Sequence, residues 1–369
     1  MTPETKWCTK CVISSNRPIA SQEYARTPGS RPATMAVDAA GVCGACRVAE
    51  RKAATNWGER HLALRELCDR FRRTDGRPDV LVPGSGGKDS VFASHVLKTR
   101  YGMHPLTCTW APHRYTPVGW RNFQRWLDAG FDNVLVTPNP RVHRTLTRPA
   151  FLNLLHPFQP FVLGQRSLAP KIAGEYDIRL IVFGEDDEEY EGVPGWQSRM
   201  EVHFDPETVH ISGVPYRQLL ADHGLTAHDL HIYLPPYMRY WYTETIALGR
   251  YLCWQPQEAY YYAVEHTGFE ANEQRTEGTY SKYNSIDDML DPLHYYTTWV
   301  KFGLGRASYD AAQEIRNGHL TRDEGIALVR KYDGELREET VVWACDYMQI
   351  TPTQFHETIA RFKVEVAQI

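Results

Sequence analysis

The sequence has no long apolar run. Nothing in its 369 residues approaches the roughly 18 apolar positions in a row that a membrane-spanning helix needs. The opening, Met1-Thr2-Pro3-Glu4-Thr5-Lys6-Trp7-Cys8, lacks the apolar core of a secretory leader. An excess of one charge is also missing: 41 Lys and Arg face 45 Asp and Glu, a formal net charge of -4. That balance argues against a chain whose main partner is a polyanion. Internal repeats and low-complexity tracts are absent. The expectation is a soluble, cytoplasmic protein with no membrane association and no nucleic-acid partner.

What is present is ordinary globular composition, 42% hydrophobic and 23% charged with 26 Gly and 23 Pro. That is enough for one large α/β domain with appendages. The expected organisation is an N-terminal knuckle over 1–56, a nucleotide-binding domain over 57–235 and a mostly helical substrate or partner region over 236–369. The eight cysteines do not suggest a disulfide framework, because cytosolic thiols stay reduced. Cys68, Cys108, Cys253 and Cys345 are scattered, and a lone cysteine on an apolar strand, such as Cys108, is most simply a small core residue. The other four form two Cys-x-x-Cys pairs, Cys8/Cys11 and Cys43/Cys46, separated by the 31 residues 12–42. Each such turn presents two thiolates to one side, and two turns close a tetrahedron around Zn²⁺ with no position left open. The role expected is structural, since residues 1–50 are rich in turn formers and carry little core of their own. A redox Cys-x-x-Cys explains only one pair at a time.

Between residues 57 and 183 the hydrophobic period alternates. A helix is predicted over 57–73, then strands at 79–83, 105–110, 133–137 and 178–183. Helical stretches from Lys88, over 118–129 and around 150–173 separate them. Near-continuous apolar strands alternating with helices indicate a doubly wound parallel sheet. Farther on, a capping box at Thr321–Glu324 opens one helix and another starts near Thr351. The aromatic-rich stretch 240–262 either lines a site or packs a core.

Two loops stand at strand ends. Ser85-Gly86-Gly87-Lys88-Asp89-Ser90 joins the first strand to its helix. Successive glycines let backbone N–H groups approach an anion, and the helix N-terminus adds its dipole. Lys88 supplies a charge and the two serines supply hydroxyls. Asp89 suits an anion cradle only if a cation bridges it to phosphate, which implies Mg²⁺. The spacing fits neither the Walker A motif nor the dinucleotide fingerprint. It looks like the PP-loop of the ATP pyrophosphatases, which implies that the loop holds the β- and γ-phosphates while an oxygen attacks the α-phosphate. The second loop, Gly184 to Gly192, places six carboxylates within the seven residues Glu185–Glu191. In an open parallel sheet it faces the same crevice. Glu185 and Asp186 are therefore candidates, with Asp89, for holding Mg²⁺ or placing a nucleophile, against the plain alternative of a solvated acidic turn.

The order of motifs is narrower than any one of them. The two cysteine pairs, the PP-loop and Gly184-Glu185 are followed by Thr279-Tyr280-Ser281-Lys282-Tyr283 and Lys301-Phe302-Gly303-Leu304-Gly305-Arg306. Together they resemble the N-acetyl sugar amidotransferases of bacterial surface-polysaccharide biosynthesis. Asp186 departs from the pattern, where that family is expected to have Asn. The resemblance implies that an acetamido group on a sugar or sugar nucleotide becomes an acetamidino group at the expense of ATP. It implies that Lys88, Asp89 and Glu185 take part in catalysis, and that Lys301 and Arg306 stabilise phosphate or a sugar acid. It gives no role to Tyr280 or Lys282. Ammonia must be supplied. Thr2 follows Met1, so no N-terminal cysteine nucleophile is expected, and no Gly-x-Cys-x-Gly elbow is present. A separate glutaminase partner is implied. The main rival reading is a PP-loop tRNA thiolase, which generally wants further clustered cysteines and a basic surface. Other adenylating ligases and a non-catalytic binding protein complete the alternatives.

Overall fold

The computed structural model of the chain describes residues 5–193, 195, 205–235, 243–364 and 369. Residues 240–242 of the aromatic stretch lie outside the described residues. Five parallel strands form the main sheet: β1 (Val80–Pro83), β2 (Pro105–Trp110), β3 (Asp132–Val136), β4 (Leu180–Phe183) and β7 (Glu244–Ala247), in the order β3-β2-β1-β4-β7. The short β5 (His210–Ile211) and β6 (Val214–Pro215) make a separate antiparallel ribbon. The chain winds one way from β1 to β3 and the other way from β4 to β7, so the order reverses between β1 and β4. That reversal opens the crevice where ligands of such sheets bind.

Helices cover both faces. In the first half they are α1 (Gly44–Ala53), α2 (Trp57–Phe71), α3 (Lys88–Tyr101), α4 (Pro117–Asp128), α5 (Pro140–Leu154), α6 (Gln159–Glu175) and α7 (Asp187–Glu191). The stretch predicted as helical around 150–173 is thus two helices, α5 and α6, broken at Leu155, which takes a left-handed φ of 45°. Alternate strand residues feed two cores. Val80, Val82, Leu180 and Val182 pack with Leu64 and Leu67 of α2 and Val96 and Leu97 of α3. Leu81, Ile181, Leu106 and Trp110 pack on the opposite face with Leu163 and Leu168 of α6. Because both faces are buried, the strands read as unbroken apolar runs rather than as alternation.

The remainder is mostly helical: α8 (Tyr216–Asp222), α9 (Ala227–His231), α10 (Pro256–Thr267), α11 (Asp291–Phe302), α12 (Arg306–Arg316), α13 (Arg322–Tyr332), α14 (Glu338–Met348) and α15 (Pro352–Phe362). Capping boxes open α13 at Thr321 and α15 at Thr351. The sheet does not end at residue 235: β7 pairs with β4 from Leu180↔Glu244 to Phe183↔Ala247. The late region therefore supplies a strand as well as helices. Nor does the N-terminal knuckle hang free. Cys8, Cys11, Val12, Cys43 and Cys46 share a small core with Ala311, Ala312 and Val329 of α12 and α13. Arg322 donates to the carbonyls of Cys8 and Cys11, both at 3.2 Å. Among the described residues, no helix is long and apolar enough to cross a membrane.

Candidate functional site

The glycine loop leaves β1 at the point of strand-order reversal and ends at Gly87, which caps α3. Two glycines are required by shape. Gly86 has φ of +85°, and a Cβ there would lie 2.8 Å from the Phe123 backbone of α4. Gly184, at the end of β4, would put a Cβ 2.2 Å from the Asp89 carbonyl. The acidic loop therefore passes directly against the first turn of α3. Only glycine permits either approach.

Asp89 is held from two sides. Its Oδ2 pairs with the buried Lys88 ammonium at 2.6 Å, and its Oδ1 accepts from Trp254 Nε1 at 2.9 Å. Trp254 is itself buried, and its carbonyl accepts from Lys52 of α1 at 3.1 Å. A path of direct contacts thus joins the cysteine knuckle to the phosphate loop. Ser85 bonds to the Asp287 carboxyl. Ser90, by contrast, turns its hydroxyl back onto the Gly87 carbonyl at 3.0 Å and tightens the first helical turn.

Glu185 faces this loop. Burial, reinforced by the nearby Asp89 carboxylate, pushes its carboxyl up to about 7, with Lys88 partly offsetting the shift. Two carboxylates forced together in a half-buried crevice are a fit for a hard divalent cation. Mg²⁺ commonly takes one or two carboxylates together with phosphate oxygens. Asp287 and Asp291 lie on the far wall, and burial raises both. Arg306 completes that wall: it pairs with Asp310 at 3.0 Å, donates to the Tyr295 hydroxyl at 2.5 Å and, among the described residues, leaves its buried Nε without a hydrogen-bond partner. Tyr190 adds a phenol whose pKa is raised by burial and by Asp89 and Glu185. Sequence reasoning missed Trp254, Tyr190, Asp287 and Asp291. Of these, only Trp254 carried a sequence signal, lying within the aromatic stretch 240–262.

The rest of the acidic loop does something else. Asp186, expected beside Mg²⁺, turns away from the crevice. One oxygen caps α7 through Glu189 N–H at 3.2 Å and the other pairs with Lys52 at 3.2 Å. Asp187 pairs with Arg250 at 2.9 Å, Glu188 with Arg51 at 2.5 Å, and Glu189 with both Lys52 and Arg316 at 2.7 Å. Glu191 accepts from Ala20 N–H at 2.5 Å. Five of the six carboxylates are taken up in joining α1, α7, α12 and the sheet edge. Glu185 and Asp186, expected together beside Mg²⁺, part company in the structure: their side chains diverge, and of the two it is Glu185 that meets the glycine loop.

Lys301 does not reach the glycine loop either. Its ammonium donates to the Leu154 carbonyl at 3.2 Å, among Glu23, Arg26, His156 and His294. Lys282 is exposed and bonds the Glu273 carbonyl at 2.9 Å, while Tyr280 packs against the knuckle core.

The knuckle brings its four cysteines together. All four are buried, and their sulfurs lie within 4.8 Å of one another. Cys8 and Cys46 are 3.8 Å apart, Cys11 and Cys43 3.7 Å. A tetrahedron of about 2.3 Å metal–sulfur bonds has edges of about 3.8 Å, so the spacing fits a structural metal with four thiolate ligands. The N–H groups of Lys10 and Cys43 donate to Cys8 Sγ at 3.4 and 3.3 Å, which favours its thiolate.

A strand, a Ser-Gly-Gly-Lys-Asp-Ser loop and a helix at the reversal point of a parallel sheet make a PP-loop arrangement, suited to an enzyme that uses ATP. The far wall of the crevice has a relationship of its own. Residues 277–367 match the family of the LPS biosynthesis protein WbpG-like, C-terminal domain. Asp287, Asp291, Lys301 and Arg306 all lie within that match, so the resemblance to surface-polysaccharide enzymes holds where it bears on the crevice. No curated protein sequence matches the chain. One solved structure similar to it is the U34-tRNA thiolase NcsA from Methanococcus maripaludis with its 4Fe-4S cluster. Identity is 11%, the match covers 85% of this chain and 87% of that one, and the TM-score is 0.30. A likeness that distant carries no argument.

Proposed function

We propose that the chain is an ATP-dependent amidotransferase acting on an N-acetyl sugar of surface-polysaccharide biosynthesis. The observation that carries the reading is the composition of the crevice: one wall is a PP-loop, and the other comes from the segment matched to an LPS-biosynthesis domain. An amide carbon is a poor electrophile because it has no good leaving group. Attack by the amide oxygen on the α-phosphorus of ATP expels pyrophosphate and turns that oxygen into part of an AMP leaving group. Ammonia then adds at the activated carbon, and AMP departs with the former amide oxygen. Amide, ATP and ammonia thus give amidine, AMP and pyrophosphate.

The chain's residues have separable tasks in this scheme. The N–H groups of Gly86, Gly87 and the start of α3 cradle the β- and γ-phosphates, and Lys88 adds charge where pyrophosphate leaves. Asp89 and Glu185 would hold Mg²⁺, which neutralises phosphate charge when bound. Arg306 stabilises the phosphate or the acceptor from the opposite wall. Cys8, Cys11, Cys43 and Cys46 hold Zn²⁺ structurally, and a separate glutaminase supplies ammonia.

The test supplies an N-acetylated sugar acid or sugar nucleotide with ATP, Mg²⁺ and ammonium chloride. Mass spectrometry is expected to show oxygen replaced by NH, with AMP and pyrophosphate as co-products. Glutamine alone is expected to fail and to become effective once a glutaminase is added. ADP formation, or glutamine-driven turnover by this chain alone, overturns the scheme. Sulfur incorporated into tRNA, or iron instead of zinc in metal analysis of the purified protein, transfers the case to thiolation.

A further inference from the structure

An aspartate carboxylate turns about a broad, two-fold torsion unless its oxygens are tied down. Asp89 is tied at both. Lys88, the next residue in the same loop, holds Oδ2 at 2.6 Å. That lysine also carries the charge that meets the phosphates, so a bound nucleotide competes for it. Trp254 Nε1 holds Oδ1 at 2.9 Å, and it comes from outside the loop. The indole is neutral and the residue only 1% exposed, so a phosphate exerts little pull on it. Trp254 is the hold that stays when the lysine is recruited.

Trp254 lies in the segment between β7 and α10 and is itself fixed from two sides. Tyr190 packs on its ring, with centroids 5.8 Å apart. Lys52 donates to its carbonyl at 3.1 Å and stands 5.9 Å from its ring centroid. One ammonium therefore holds both the backbone and the indole.

Lys52 has little freedom of its own. Its helix, α1, starts directly after Cys43 and carries Cys46 in its first turn. Lys52 stands six residues farther on, about 9 Å along the helix. A Cβ on Gly44 would lie 1.9 Å from the Gly192 carbonyl, so α1 abuts the end of α7. Glu189 holds the ammonium at 2.7 Å and Asp186 holds it at 3.2 Å, while Arg316 holds Glu189 at 2.7 Å.

We propose that Lys52 and Trp254 are positioning residues for Asp89: Lys52, anchored by the cysteine knuckle through α1, fixes the Trp254 indole, which aims the Asp89 carboxylate at the cation of a bound nucleotide. The cation rests on the ATP reading above, and the hold on the carboxylate rests on the contacts alone. The knuckle thereby serves the phosphate loop as well as the N-terminal segment.

Indole ¹⁵N–¹H resonances of the metal-loaded protein test the hold without nucleotide. The Trp254 signal is the one lost in Trp254→Phe, and its N–H is expected to exchange slowly with solvent. Lys52→Met, made together with Asp186→Asn so that a cation and a carboxylate leave at once, is expected to speed that exchange tenfold or more. Asp186→Asn alone is expected to leave it slow. Calorimetry with a non-hydrolysable ATP analogue, with and without Mg²⁺, tests the aim. The double variant and Trp254→Phe are each expected to lose tenfold or more of the affinity that Mg²⁺ adds, with affinity in its absence unchanged. Trp254→Phe leaves the Lys52 network intact and reads the same step even if the double variant does not fold. Exchange that the double variant leaves slow, or that Asp186→Asn alone speeds as much, overturns the assignment. So does a loss of affinity that is equal with and without Mg²⁺, or no loss at all in Trp254→Phe. Exchange that responds as expected in a protein that binds no nucleotide keeps the hold on Asp89 and sinks the cation together with the ATP reading.

Discussion

Two loops leave neighbouring parallel strands at the same edge of the sheet. The one after β1 carries a single acidic side chain, Asp89, between a lysine and a serine. The one after β4 carries six, Glu185 to Glu191. Charge count alone points to the second as the cation site. The contacts point to the first, with Glu185 the carboxylate that the acidic loop brings to the crevice beside the Tyr190 phenol. The other five carboxylates already have Lys52, Arg51, Arg250, Arg316 or a backbone N–H as partners. A carboxylate whose cations come from other elements is a strut, whereas Asp89 pairs with its own neighbour Lys88 inside the glycine loop. A carboxylate that is buried and crowded by a like charge is available to a ligand. Partner identity, rather than abundance, separates binding from scaffolding in these two loops.

The largest test of that contrast is at the glycine loop. Lys88→Ala and Asp89→Ala are each expected to lower kcat for pyrophosphate release on the order of 10²–10³-fold or more, because charge stabilisation at the departing phosphates is lost. Circular dichroism should remain that of a folded protein, while the melting temperature falls because each change breaks the buried Lys88–Asp89 pair. Near-normal turnover from either variant would remove the loop from the chemistry.

Glu189→Ala breaks the other side of the comparison. Glu189 is 2% exposed, and it is the carboxylate that Lys52 and Arg316 share. Burial alone would raise its pKa, but the two cations outweigh burial and hold it low. Removing one member of such a network leaves buried charge uncompensated, at a cost of about 3–5 kcal/mol. Urea denaturation should show the midpoint falling accordingly. A loss below about 1 kcal/mol would mean that the triad is no more than a surface-like pair.

Glu185 gives a smaller, pH-dependent signature. Its folded carboxyl is raised to about 7, so the folded state holds its proton more tightly than the unfolded chain does. The stability this group contributes is full below the ordinary carboxylate value of about 4.3, and it is lost as pH rises through 7. Glu185→Gln removes the ionisation. It should therefore match the unaltered protein near pH 4 and become the more stable of the two by about 1 kcal/mol at pH 8, a figure reduced for partial exposure. Melting curves across that range check the sign. A gap that shrinks with rising pH would place Glu185 in a cation's company instead of Asp89's.

Much of this was legible in the sequence, for local reasons. The strands declared themselves because both faces are buried. The glycine loop did so because Gly86 meets backbone that tolerates no Cβ, and the start of the acidic loop because Gly184 does. The two cysteine pairs were readable because each pair's geometry is set within four residues. What escaped is non-local. β7 is four residues long at the sheet edge, with only Ile246 and Ala247 buried, so its apolar signal is short. Trp254 meets Asp89 from 165 residues away. The partners of the acidic loop were unreadable for the same reason, since they stand at 20, 51, 52, 250 and 316 and no local pattern pairs them in advance.

Asp186→Asn gives the smallest effect and the sharpest contrast with Asp89. If Asp186 held Mg²⁺, replacing its charge would cost activity on the scale expected of Asp89→Ala. In the structure its two tasks are to cap α7 and to pair with Lys52 at 3.2 Å. Asparagine caps helices about as well as aspartate, so the first task survives the change. The second is partly redundant, because Lys52 keeps Glu189 at 2.7 Å. Burial already raises the Asp186 carboxyl, with Lys52 offsetting part of the shift, so neutralising it also removes a desolvation cost. The expected outcome is a stability change within about 1 kcal/mol and a kcat within a few-fold of the unaltered protein, with the same Mg²⁺ dependence. A variant that needed far more Mg²⁺ to reach the same rate would return Asp186 to the cation. The acidic loop would then share the phosphate site after all.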